Sequence, residues 1–199
     1  LCPRSHWADL ERFAASEIQT SGNSKEDVSF GEYLHVNGEQ VMESWEYKWM
    51  QQLATFGLNK ATAKSSLNVV KVLEIGWGQG ISGRTLLKGI PGKSIEYTVI
   101  ELHPTMAEDA RRVFQEIGAK NARVLLGPWE QILPTLEDRS FDLIFSDPWD
   151  TSQAKGRGKW STHSRWDSID AQAVSLPRVL KPGGCHVWYT SPGSKGKKK

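Results

Sequence analysis

The run Val69-Val70-Lys71-Val72-Leu73-Glu74-Ile75 is a short, largely β-branched stretch that stops at Gly76-Trp77-Gly78-Gln79-Gly80, and a helical stretch from Ile81 to Lys88 follows. Strand, glycine turn, helix is the order, and it sets the reading of everything downstream. Ile95 to Glu101 is a second strand, Pro104 to Ile117 a helix, Ala122 to Leu126 a third strand and Trp129 to Leu136 a short helix. Phe141 to Ser146 makes a fourth strand and Cys185 to Tyr189 a fifth. Strands that are almost unbroken apolar runs, alternating with helices, predict a mainly parallel sheet covered on both faces. Ligands of such sheets bind beyond the carboxyl ends of the strands, so the informative residues follow each strand.

Upstream, Val41, Trp45, Trp49 and Leu53 recur every four residues, which predicts an amphipathic helix from Glu39 to about Phe56. Met42, Glu46 and Met50 would form its adjacent stripe and place a carboxylate between two polarisable thioethers. Residues 1–36 show no sustained period and read as a partly ordered N-terminal arm. Residues 37–192 read as the single catalytic-size domain and 193–199 as a basic flexible tail.

Composition narrows the classes. With 199 residues, 38% hydrophobic and 24% charged, the chain is long enough for one core and is neither collagen-like, an acidic disordered tail nor a disulfide scaffold. The net charge of +2 rests on Lys195, Lys197, Lys198 and Lys199 at the tip, so a basic nucleic-acid-binding face is not indicated. Cys2 and Cys185 lack the spacing of a metal site or redox pair, and no run approaches the ~18 apolar residues of a membrane span. A soluble cytoplasmic protein with no metal is expected.

Each strand end carries chemistry with two readings. The glycines after the first strand allow close backbone approach to a ligand, or serve packing alone. Glu101, 25 residues past Gly76, can accept both hydroxyls of a ribose, or simply begin the next helix. Trp129-Glu130 can stack on a flat base and bond its exocyclic amine, or be a core indole and a first-turn acid. Asp147 faces whatever the glycine turn holds, or caps a turn.

Taken together, these strand ends and the late Leu180-Lys181-Pro182-Gly183-Gly184 resemble a class I S-adenosylmethionine-dependent methyltransferase. Within that superfamily the chain is similar to the guanidinoacetate N-methyltransferase family from about Leu34 to Tyr189. Val41-Met42-Glu43-Ser44-Trp45-Glu46 with Met50 is the most specific part, followed by Gly127, Trp129-Glu130, Phe141-Asp142 and Asp147. The resemblance implies a Rossmann-like fold of seven strands, of which the last two exceed the residues that remain here. It implies cofactor contacts from Met42, Met50, Gly76, Trp77, Gly78, Gln79, Gly80, Ile81, Glu101, Leu102, His103, Trp129, Glu130 and Asp147. Glu46 and Asp147 would be catalytic and grip a guanidinium, with Trp149, Thr190 and Ser191 beside the substrate. The implied partner is a small guanidino compound, with no nucleic acid or membrane, and the enzyme a monomer or homodimer.

The family's Asp-Thr-Tyr-Pro is here Asp147-Pro148-Trp149-Asp150, and Pro148 removes a backbone donor and restricts Asp147. Asp147-Pro148-Trp149 is also similar to the Asp-Pro-Pro-aromatic motif of enzymes that methylate exocyclic amines of bases. An arginine side chain as acceptor, and a cofactor-binding subunit without catalysis, complete the alternatives.

Overall fold

The computed structural model describes residues 18–20, 33–36, 39–43, 46–63, 68–148 and 172–188. Three short strands come first, β1 (Ile18–Thr20), β2 (Tyr33–Val36) and β3 (Glu39–Glu43), paired antiparallel in that order. The main body follows as α1 (Tyr47–Thr62), β4 (Val69–Ile75), α2 (Ile81–Lys88), β5 (Ser94–Glu101), α3 (Pro104–Glu116), β6 (Ala122–Leu126), α4 (Trp129–Ile132) with a 3-10 turn at Leu133–Thr135, and β7 (Phe141–Ser146). Helix α5 spans 172–179 and leads into β8 (Leu180–Trp188).

Strands β4 to β8 form one parallel sheet in the order β6-β5-β4-β7-β8. The first of them, β4, is central, and the chain winds outward from it on one side and then the other. The direction of winding reverses at β4, which opens a crevice at the carboxyl ends of β4, β5 and β7. This is the Rossmann-like α/β arrangement that the alternating apolar runs predict.

Because β-strand side chains alternate, the sheet buries two separate cores. Val72, Tyr97, Val99, Leu143 and Phe145 face α1, α2 and α3. Leu73, Ile75, Ile100 and Ile144 face Trp129 and Leu133 on one side and Leu176 and Val179 of α5 on the other. At the amino ends, Asp142 ties three strands: it accepts the Lys71 amide at 2.9 Å and the Lys181 ammonium at 2.8 Å.

The predicted helix from Glu39 is corrected. Residues 39–43 are strand β3, and the helix begins at Tyr47 and runs on to Thr62. Its inward face is also different, since Met50, Ala54, Gly57, Leu58 and Ala61 are buried while Trp49 is 60% exposed. The cause is close packing: a Cβ at Gly57 would stand 2.9 Å from Leu143 Cδ1 and 3.1 Å from Val187 Cγ2. Only small residues let α1 lie that near the sheet. The Lys181-Pro182-Gly183-Gly184 stretch, which precedes the predicted fifth strand, lies within β8 as an irregularity between the pairs Phe141↔Leu180 and Leu143↔Cys185.

Candidate functional site at the strand ends

Gly76, Gly78 and Gly80 all take positive φ, at 88°, 55° and 73°. L side chains rarely adopt such angles, and space is lacking as well. A Cβ at Gly76 would stand 2.7 Å from the Asp147 carbonyl oxygen, and one at Gly78 would stand 2.8 Å from Met42 Cε. The glycine turn is therefore the meeting place of β4, of the strand β3 that carries Met42, and of the end of β7. Asp147 is pinned there by its own amide, which donates to the Ile75 carbonyl at 3.0 Å.

Glu101 closes the turn from the neighbouring strand. Its buried carboxylate accepts the Trp77 amide at 2.7 Å and the His103 amide at 2.6 Å. Burial pushes its pKa up, against the hydrogen bonds to His103, Trp77 and Gly78. An oxygen with two lone pairs keeps acceptor capacity after one such bond, so these contacts orient Glu101 without exhausting it.

Sequence reasoning passed over Glu74. It is fully buried beneath the turn, where Ser82 Oγ and Tyr97 Oη both donate to its carboxyl group. Burial raises its pKa well above the ordinary 4.5, and the charges of Asp147 and Glu101 add to the effect. The available signal was an acid inside an otherwise apolar strand, which is costly unless partnered.

Several expected contacts lie where only part of the residue faces the crevice. The Trp77 ring is buried, wedged under the turn so that a Cβ at Gly80 or Gly83 would stand 2.3 or 2.2 Å from it. Its Nε1 donates to Asp109 of α3 at 2.9 Å, and its ring meets Phe114 edge-on at 5.6 Å. The Trp77 ring thus lies in the core, while its backbone amide is on the turn. Trp129 is 9% exposed and packed among Leu73, Ile75 and Ile100, while Ile81 and Met50 belong to the other core. His103 caps α3, accepting the Thr105 amide at Nδ1 over 3.2 Å. Leu102 is partly buried against the α1–α3 core, and Glu130 is partly buried in the first turn of α4. Met42 and Met50 share no helical stripe, since Met42 is on β3.

Glu46 stands at the head of α1 and makes no side-chain capping bond there. Gly57 meets Leu143 and Val187, and the charge of Lys60, one turn later, acts on Cys185, which precedes Val187 on β8. Helix α1 thus runs opposite to the strands and carries Glu46 toward their carboxyl ends. Trp149, Thr190 and Ser191 lie outside the described residues.

Among the described residues the Gln79 side chain of the turn has no partner: both its Nε2 and Oε1 are buried without a hydrogen bond. Buried amides are seldom left so, and a bound ligand would satisfy this one. Glycine amides, an oriented acid, a thioether and an orphaned carboxamide together fit a nucleoside joined to an amino-acid end.

Comparison with known proteins follows the same line. Residues 17–197 match the family model of guanidinoacetate N-methyltransferase. A Mycobacterium avium protein named as an O-methyltransferase is 35% identical over 120 residues, covering 58% of this chain and 46% of that protein. A Mycobacterium tuberculosis protein, likewise named, is 37% identical over 78 residues, or 38% of this chain and 34% of its own length. The chain thus spans about half or less of the curated relatives it matches. Among solved structures, the O-methyltransferase TomG from Streptomyces achromogenes, determined in complex with S-adenosylmethionine, superposes with a TM-score of 0.53 at 21% identity. That match covers 75% of this chain and 57% of TomG, and it shows a shared fold. No helix among the described residues is long and apolar enough to cross a membrane.

Proposed function

The chain belongs to the guanidinoacetate N-methyltransferase family, and we propose that it transfers a methyl group from S-adenosylmethionine to a guanidino nitrogen of a small molecule such as guanidinoacetate. The observation that carries this reading is the seating of Asp147, whose carbonyl lies against Gly76 of the cofactor turn while its amide is bonded to Ile75. In this reading the backbone seating of Asp147 brings its carboxylate beside the donor site.

When bound, S-adenosylmethionine supplies a methyl group activated on a positive sulfonium. The residues that would hold it are those of the turn: the glycine backbone, Glu101 for the ribose hydroxyls, Gln79 for the polar amino-acid end and Met42 against Gly78. Trp129 and Glu130 stand at the next strand end for the base. Met50, Ile81, Leu102 and His103 support these groups from behind.

A guanidinium is protonated at neutral pH and its nitrogens offer no free lone pair, so transfer requires a proton acceptor. Two carboxylates bind a planar guanidinium through charge-assisted pairs. In this reading Glu46 orients the cation and Asp147 takes the proton as the N–C bond forms and the S–C bond breaks. The enzyme is taken as cytoplasmic, a monomer or homodimer, with a small-molecule substrate.

Asp147→Asn tests the assignment. Binding of S-adenosylhomocysteine, measured by calorimetry, should change little, whereas methyl transfer to guanidinoacetate should fall by at least ~100-fold. Undiminished turnover removes Asp147 from the chemistry. The names of the mycobacterial relatives favour a second reading, a hydroxyl acceptor, and a catechol run in the same assay separates the two.

A further inference from the structure

Helix α2 has only 8 residues, its N-cap Gly80 offers no side chain to cap it, and its first turn holds no acid. A helix that short has little stability of its own, so what it packs on sets its place over the sheet. Its first three residues, Ile81, Ser82 and Gly83, are all buried. Ser82 Oγ donates to Oε1 of Glu74 on β4, and Tyr97 Oη of β5 donates to Oε2 of the same carboxyl group. The register pairs Val72 with Tyr97 and Glu74 with Val99, so Glu74 and Tyr97 share the sheet face that packs against Ile81 and Leu86 of α2. Gly83 completes the contact, since a Cβ there would stand 2.8 Å from Tyr97 Oη. Phe114 of α3 meets the Tyr97 ring edge-on at 5.6 Å.

An acid buried in an apolar strand is costly, and this one joins three elements, β4, β5 and α2, at a single group. Glu74 is fully buried and each of its oxygens meets a protein hydroxyl, so it is a strut beneath the turn. Burial holds its pKa well above the ordinary value, and hydroxyls accept as well as donate, so both bonds persist with the carboxyl charged or neutral. Above the strut, the amides of the first helical turn have no acceptor within the helix and suit a negative group in the crevice. Glu101 is held differently, by the amides of Trp77 and His103 and not by α2. A shift of α2 would therefore disturb one end of the crevice more than the other.

We propose that Glu74, Ser82 and Tyr97 are positioning residues for the methyl donor: a buried strut that fixes the first turn of α2, and with it the backbone amides that receive the amino-acid end of S-adenosylmethionine. This rests on the reading of the glycine turn as the cofactor site, and it is independent of which acceptor is methylated. None of the three side chains touches the cofactor in this assignment. Ser82 and Tyr97 act through Glu74, and Glu74 acts through the helix.

The test compares calorimetric affinity for S-adenosylhomocysteine with that for methylthioadenosine, which keeps the nucleoside and lacks the amino-acid end. Tyr97→Phe and Ser82→Ala should each weaken S-adenosylhomocysteine binding by about tenfold, because each leaves an oxygen of the buried acid without its donor. Methylthioadenosine binding should stay within about twofold in both variants, since Glu101 keeps its own supports. Glu74→Gln keeps two hydrogen-bonding atoms in place and should bind S-adenosylhomocysteine within about threefold of the unaltered protein. Glu74→Leu should lose about 30-fold, and adding Tyr97→Phe to it should cost nothing further. Should Glu74→Leu fail to fold, the two hydroxyl deletions decide the matter. Val113→Ala, which opens a cavity in the same core on α3, should leave S-adenosylhomocysteine affinity unchanged. Unchanged affinity in Tyr97→Phe and Ser82→Ala overturns the proposal, as does an equal loss of methylthioadenosine or an equal loss in Val113→Ala. If the unaltered protein binds no S-adenosylhomocysteine, the reading of the turn fails and the strut falls with it. If it binds and the variants match it, the strut alone fails.

Discussion

At the carboxyl ends of β4 and β5 the polar groups brought together are mostly main chain, whereas at the ends of β7 and β8 they are mostly side chain. The first region consists of three glycines at positive φ and the amides of Trp77 and His103 bonded to Glu101. The second consists of Ser146 bonded to His186, whose ring stands against Trp188. A main-chain site is fixed by φ and ψ and tolerates little change, which suits a cofactor that does not vary. A cluster of side chains can be altered one residue at a time without disturbing the backbone.

The comparison can be broken most sharply at Glu101. In Glu101→Gln an amide replaces the carboxylate between two backbone donors, so one N–H meets another N–H. S-adenosylhomocysteine affinity should fall by at least ~30-fold by calorimetry, with no recovery at high acceptor concentration. A smaller loss would mean that the turn holds its shape without this acid. Next is Gly83→Ala, where the added methyl meets the Trp77 ring at 2.2 Å. Overpacking there should cost about 2 kcal/mol in denaturant unfolding, even after the helix-propensity gain of alanine.

Glu74→Gln probes the buried acid beneath the turn, and its sign can be worked out. The folded pKa of Glu74 lies above the ordinary 4.5, so the folded state binds more protons than the unfolded state across that interval. Its contribution to stability is full below pH 4.5 and is lost as pH rises through the folded value. Glu74→Gln should flatten that decline in thermal unfolding curves taken from pH 4 to pH 9. The smallest effect belongs to Trp49→Gln on the outer face of α1, which is expected to change stability by no more than ~0.5 kcal/mol in the same unfolding assay.

Much of the first region was legible in the sequence. The apolar runs of β4 and β7 begin and end where the residues predict, because a strand buried on both faces leaves a continuous signal. The glycine turn was legible because positive φ selects glycine. The second region was not, since the pairing of Ser146 with His186 joins residues 40 apart through strand register, which no local pattern encodes. The start of α1 was misread for a different reason. Val41, Trp45, Trp49 and Leu53 recur at helical spacing, while the buried face combines Met50 and Leu58 with the small residues Ala54, Gly57 and Ala61. Closeness of approach at Gly57 selects the small residues, which leave little pattern in the sequence. Trp77 shows the same limit, because nothing local to the glycine turn signals that its ring braces α3 through Asp109.

The contact between Gly76 and the Asp147 carbonyl is a seam one backbone wide, with the glycine turn on one bank and, in the proposed function, the acid of the acceptor site on the other. Anything that thickens the seam separates the two reactants by the same amount. A lesion at Gly76 would therefore show itself as a poor grip on the methyl acceptor as much as on the donor, and a kinetic survey that sorted residues by which ligand they affect would file this glycine under both.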